Sequence, residues 1–97
     1  MPEYRLRPKA RRDLDRIWDY SVRTWGGRQA RRYLTDIRDV LADLAANSHI
    51  GKARGDLFEG LRVYPVGRHL IFYLTTDKGI DVVRILHERM DIDRHLS

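Results

Sequence analysis

No cysteine occurs in this sequence of 97 residues. That absence removes a disulfide framework, a thiolate metal site and a cysteine nucleophile together. Long apolar runs are missing too, since every hydrophobic stretch is short and interrupted, well under the ~20 residues a helix needs to cross a bilayer. The first residues, MPEYRLRPKARR, are charged from position 3 and hold no apolar h-region, which argues against a secretory signal and for a cytoplasmic protein. There are no repeats, no low-complexity tract and no linker, so residues 1–97 read as a single domain. What remains is enough for a thin core: 42% of residues are hydrophobic, which argues against disorder.

Charge is abundant and lopsided. Of nineteen basic residues sixteen are arginine, and residues 1–32 hold ten basic against four acidic side chains. A basic region favours acidic partners, either nucleic acid or an acidic protein segment. Arginine forks onto carboxylates as readily as onto phosphates, so composition leaves both open, beside a plainly solvated helix face.

Glu3 to Arg7 alternates and predicts a short strand. Pro8 suits the first position of a helix, and Ala10, Leu14, Ile17, Trp18, Ser21 and Trp25 form its apolar stripe. Gly26-Gly27 ends it. A second helix follows from Arg28 to Ala46, with Ala30, Tyr33, Leu34, Ile37, Leu41, Leu44 and Ala45 on one side. So short a link makes the two helices antiparallel neighbours. Residues 48–60 read as loop. Leu61 to Tyr64, Arg68 to Thr75 and Ile80 to Leu86 read as strands, with a turn at Pro65-Val66-Gly67 and another at Asp77-Lys78-Gly79. A polar tail follows, with Met90, Ile92 and Leu96 spaced for light docking. The order β-α-α-β-β-β predicts a two-layer α+β domain: a helical hairpin on one face of a small, mainly antiparallel sheet.

Two helices cover one face only, yet the last strands are apolar on both parities. Leu70, Phe72 and Leu74 alternate with Ile71 and Tyr73, and Ile80, Val82 and Leu86 with Val83 and Ile85. An antiparallel sheet with one wet face should alternate cleanly. The second face therefore wants a cover, either a partner chain, the preferred expectation, or the tail and the 48–60 loop.

Little here is equipped for catalysis. His49, His69, His87 and His95 are far apart with no metal-binding spacing, which argues against zinc, and no cofactor is implied. Ser21, Ser48 and Ser97 lack a nucleophile-elbow setting, and Gly26-Gly27 follows a helix instead of a strand, the wrong context for a phosphate-binding loop. Arg62, Arg68, Arg84, His87 and Arg89 fall on or beside the last strands with Tyr64 and Tyr73. Arginine stabilises phosphorane-like charge and histidine donates protons, so RNA cleavage is conceivable. Arg84 and His87 differ by three, however, and so face opposite ways on a continuous strand. Pairing with carboxylates is the simpler role for these arginines.

Taken in order, Tyr4-Arg5-Leu6, Pro8-Lys9-Ala10, Asp13 through Tyr20, Trp25-Gly26, Gln29-Ala30, Tyr33-Leu34, Gly60-Leu61-Arg62, Pro65 through Tyr73 and Val82 through Asp91 resemble the ParE toxins of bacterial toxin–antitoxin modules, a branch of the RelE/ParE superfamily. The resemblance runs almost end to end, though Arg7 stands where relatives often carry a serine N-cap. It implies the same β-α-α-β-β-β fold, a ParD-like antitoxin whose flexible segment covers the toxin, and DNA gyrase as the target. On this view Arg62, Arg68, Ile71, Tyr73 and Arg84 are expected to meet the antitoxin. His87, Arg89 and Arg94 are expected to meet the target.

RelE-like cousins instead cleave mRNA on the ribosome. They tend to carry Arg-Leu-Val-Tyr where this chain has Leu70-Ile71-Phe72-Tyr73, and several follow the last-strand histidine with tyrosine where Glu88 stands here. These departures favour a non-catalytic gyrase inhibitor, with the ribosome-dependent endonuclease as the alternative. A plain DNA-binding domain lacks a recognition helix, because both long helices are committed to the core.

Overall fold

The computed structural model describes residues 2–96. Strand β1 (Glu3–Leu6) leads into helix α1 (Pro8–Trp25). Arg7 at the N-cap makes no side-chain capping bond; its guanidinium reaches Asp81 at 2.9 Å instead. The buried stripe of α1 is Ala10, Asp13, Leu14, Ile17 and Ser21. Gly26 alone forms the break, at a φ of 90° that L side chains avoid, and Gly27 already begins α2 (Gly27–Ala46). Helix α2 buries Ala30, Leu34, Ile37, Leu41, Leu44 and Ala45.

The 48–60 stretch is more structured than a loop. It holds a 3-10 turn, Ser48–Ile50, and a two-residue strand, β2 (Lys52–Ala53), paired antiparallel with β3 (Arg62–Val66). Two residues carry no legible alternation, which is why the sequence hides β2. Strand β3 runs on through Pro65 and Val66, both expected in a turn. Because β2 reaches only Arg62 and Val63, Pro65 lies on an open edge where its missing N–H costs nothing. Strands β4 (His69–Thr76) and β5 (Gly79–His87) complete a sheet of order β1-β5-β4-β3-β2, in which only β1–β5 is parallel.

The helical hairpin packs on one face, against Ile71 and Tyr73 of β4 and Ile80, Val82 and Ile85 of β5. On the other face Leu61, Phe72, Val83 and Leu86 are buried beneath Leu57 and Phe58 of the 54–60 segment and Ile92 and Leu96 of α3 (Ile92–Leu96). The chain thus covers its own second face, and the partner expected there is not needed for it. Part of the two-sided pattern has a local cause. Phe72 pairs with Arg84 while the next residue, Tyr73, pairs with Val82, so Val83 is the extra residue of a β-bulge. The bulge reverses parity within β5. Leu86 therefore joins Val83 on the second face, not Ile80 and Val82 as strict alternation suggests.

Candidate functional site

Strand β1 ends at Leu6, opposite Val82, and leaves the outer edge of β5 open beyond that point. Helix α1 closes it with a side chain. Asp13 Oδ2 accepts the backbone N–H of Ile85 at 2.9 Å and Nε of Arg84 at 2.8 Å, while Oδ1 accepts Arg84 Nη2 at 2.8 Å. Arg84 Nη1 donates to the carbonyl of His95 in α3 at 2.9 Å. One arginine therefore joins α1, β5 and α3. Asp13 is 5% exposed and Arg84 8%, and the hydrogen bonds Arg84 donates to Asp13 hold the guanidinium even above its ordinary pKa. A buried pair survives in this form because its geometry is bidentate and the third guanidinium nitrogen also finds an acceptor.

Beside this junction a row of rings crosses from the end of α1 to the end of β5. Tyr20–Trp25, Trp25–Tyr33, Tyr33–His69 and His69–His87 have centroids 6.0, 6.1, 5.6 and 5.3 Å apart. The Tyr33 hydroxyl lies 2.6 Å from His69 Nδ1 and accepts the Arg68 N–H at 3.1 Å. Burial, and then the neighbouring His87, push the His69 pKa down to about 4, while burial raises that of Tyr33. Gly67, at a φ of 56°, makes the β3–β4 turn where any Cβ would strike the Tyr33 ring.

Junction and rings border a cleft of about 410 Å³, lined by Asp13, Arg16, Ile17, Tyr20, His69, Ile85, His87, Arg89 and Met90. A smaller recess of about 200 Å³ continues it along α1 past Lys9, Arg12 and Arg84, and Asp13 and Arg16 line both. On the far side of the hairpin a second groove follows β1 and both helices. Its two compartments, about 470 and 320 Å³, share Leu14, Asp15 and Arg38; Tyr4, Leu6, Trp18 and Leu34 supply apolar walls, and Arg5, Arg11 and Arg31 basic ones. Strand β1 is an edge of the sheet there.

The residues expected to meet an antitoxin do not share a surface. Ile71 and Tyr73 have no exposed area, because both lie under the hairpin. Tyr73 is further held by its hydroxyl, which donates to the Ser48 carbonyl at 2.6 Å and accepts the Gly51 N–H at 3.0 Å. Neither side chain is exposed in this chain. Arg84 has its guanidinium on Asp13 and the carbonyl of His95. Arg62 donates to the carbonyls of His49 and Gly51 at the opposite end of the sheet, and Arg68 is exposed and pairs with Glu88 at 3.2 Å. Among the expected target residues, His87 and Arg89 line the cleft together, with the Arg89 N–H on His87 Nδ1 at 3.1 Å. Arg94 sits on α3, outside the cleft lining.

Sequence reasoning missed Asp13, Arg16, Tyr20, Tyr33 and His69 as site residues. Asp13 had a signal: it falls on the apolar stripe between Ala10 and Ile17, where an ionised side chain must find a partner. The ring row had none, because its members come from four separate elements. Among the described residues no three histidine or carboxylate side chains converge as metal ligands, and no helix is long and apolar enough to cross a membrane.

An edge-closing helical hairpin on a mixed five-stranded sheet places the chain in one structural class. A solved structure of the chromosomal ParDE TA system from P. aeruginosa contains a chain that superposes with TM-score 0.75 at 25% identity, over 90% of this chain and 96% of that one. Residues 4–92 match the family described as ParE toxin of type II toxin-antitoxin system, parDE. The chain belongs to the ParE toxin family. It is 44% identical over 94 residues to Toxin ParE1 of Mycobacterium tuberculosis, covering 96% of each chain. It is 33% identical to Toxin ParE1 of Caulobacter vibrioides, over the full length of both. To Toxin ParE of Escherichia coli it is 38% identical, over all of this chain and 95% of that one.

Proposed function

We propose that this toxin acts in the cytoplasm as a non-catalytic inhibitor of DNA gyrase and is neutralised by a ParD-like antitoxin. The observation that carries the non-catalytic reading is the dispersal of the residues a nuclease would need. Arg62 is at the far end of the sheet, Arg84 is locked to Asp13, and His69 is neutral near pH 7. His87 and Arg89 remain together in an open cleft, beside Arg16 and the neutral His69, and they form the proposed target contact with Arg94 on the adjoining α3. For the antitoxin, the long groove beside β1 offers apolar walls for an amphipathic segment and arginines for its acidic face, next to a free strand edge.

A supercoiling assay with purified gyrase, run beside a translation-coupled mRNA cleavage assay, tests this. Supercoiling should be inhibited with no mRNA cuts, and His87→Ala should stay within a few-fold of the parent. A catalytic histidine contributes ~10²–10⁴ in rate, so cuts that vanish with His87→Ala would establish the nuclease alternative.

A further inference from the structure

The exposed side of α1 carries cations where a helix tolerates them least. Lys9, Arg12 and Arg16 follow one another at i, i+3 and i+7, so they form a single stripe. Like charges at this spacing repel. Lys9 and Arg12 also sit in the first turns, the positive end of the helix dipole, and no acidic residue occupies the first turn. Among the described residues no carboxylate lies within ion-pair distance of these three. Of the nearby carboxylates, Asp13 is fully committed to Arg84 and Ile85, and Asp15 and Asp19, three positions beyond Arg12 and Arg16, form no ion pair with them. The same stripe continues to Tyr20, four residues beyond Arg16 and 58% exposed, which faces the cleft with Met90, 43% exposed.

We propose that this cleft and its recess form a binding site for a single strand of nucleic acid: backbone phosphates lie along Lys9, Arg12 and Arg16, and a base packs on Tyr20 beside Met90. A row of unpaired cations running into an exposed ring is the combination that sequence-tolerant single-strand binders use. An acidic peptide would be served by the cations but leaves the ring and Met90 without a role, and an amphipathic helix has a longer groove, walled by Tyr4, Leu6, Trp18 and Leu34, on the far side of the hairpin. The flat surfaces favour a nucleobase. This site goes beyond the gyrase reading and is tested without gyrase or ribosomes.

The test is fluorescence anisotropy of a labelled oligo-thymidine strand with the purified protein. Three phosphates neutralised on a single strand give a log–log salt slope near about −2. Lys9→Gln/Arg12→Gln/Arg16→Gln should flatten that slope and weaken binding at least about tenfold at low salt. Tyr20→Ala should weaken it about fivefold or more with the slope retained. Arg31→Gln/Arg38→Gln, which removes charge from the opposite groove, should leave binding within about twofold. All these side chains are on helix surfaces, and circular dichroism checks each variant's fold. Equal losses from the two basic grooves would mean diffuse attraction and would overturn the site. So would an unchanged Tyr20→Ala, or competition by poly-glutamate as effective as by unlabelled strand.

Discussion

Against one face of the sheet lie two helices of 18 and 20 residues; against the other lie a few side chains from an irregular segment and a helix of five residues. The first cover presents Leu14, Ile17, Leu34, Ile37, Leu41 and Leu44, all buried. The second presents Leu57, Phe58, Ile92 and Leu96, which are buried only in part. Both faces of the sheet are equally dry at their centres, since Ile71 and Phe72 are each fully buried. The difference teaches that apolar strand residues report the need for a cover without reporting how firmly it is held. Segments with few buried contacts open first. The tail is therefore part of the fold, and a deletion of residues 90–97 would uncover Leu86 and Phe72 as well as remove Arg94.

The Asp13–Arg84 pair is where the two covers are tied together, so breaking it should give the largest effect. Asp13→Asn leaves a buried guanidinium without its counter-charge and should cost about 3–5 kcal/mol. That is a large share of the roughly 5–15 kcal/mol of a small domain. Urea denaturation measures it. Replacing both partners with apolar residues, Asp13→Leu with Arg84→Met, should recover much of the loss, because the desolvation cost disappears with the charges.

Next in size is the contrast between the covers themselves. Ile37→Ala on the helical side empties a fully buried site and should cost about 2–5 kcal/mol. Leu96→Ala on the other side should cost under about 1 kcal/mol, since less of its surface leaves water on docking. Amide exchange in α3 should nevertheless quicken in the Leu96 variant while α2 stays protected. Equal costs for the two substitutions would remove the distinction between a firm and a loose cover.

Comparable to the loose-cover effect is a dependence on pH at the edge of the helical face. His69 has a folded pKa of about 4 against 6.5 when exposed, so the unfolded chain takes up the proton first as pH falls. Its contribution to stability is complete above about pH 6.5 and is lost progressively toward pH 4. Tyr33 and His87 touch the ring, and the charges of Asp13 and Glu88 partly oppose the shift. After allowance for solvent screening the loss is about 1 kcal/mol, or roughly 5 °C in Tm. A thermal series across that range should show it in the parent and not in His69→Gln.

The long elements were legible because their signals repeat. The stripes of α1 and α2 recur over several turns, and β4 and β5 are flanked by glycine-bearing turns. Strand β2 was invisible at two residues, and the bulge at Val83 was hidden because alternation is blind to an inserted residue when both faces are apolar. The site was legible in part. His87 and Arg89 could be placed together from their position at the end of β5, whereas the burial of Ile71 and Tyr73 was hidden, because parity separates the faces without saying which one the helices take. Tyr33 and His69 meet across 36 positions, a distance no local pattern spans.

The parallel seam between β1 and β5 also sets a schedule for folding. Tyr4 has no strand neighbour except Ile80, and Asp13 waits for Arg84 across 71 positions. On a ribosome adding about 5–20 residues per second, the hairpin emerges seconds before the strand that will cover its apolar stripes. Until Gly79–Val82 arrives, β1 has nothing to pair with and α1 holds a carboxylate with no counter-charge. Contacts of such long range are slow to form and expensive in loop entropy. The first-made and last-made parts of the chain thus lock each other, and the native sheet exists only once both are present.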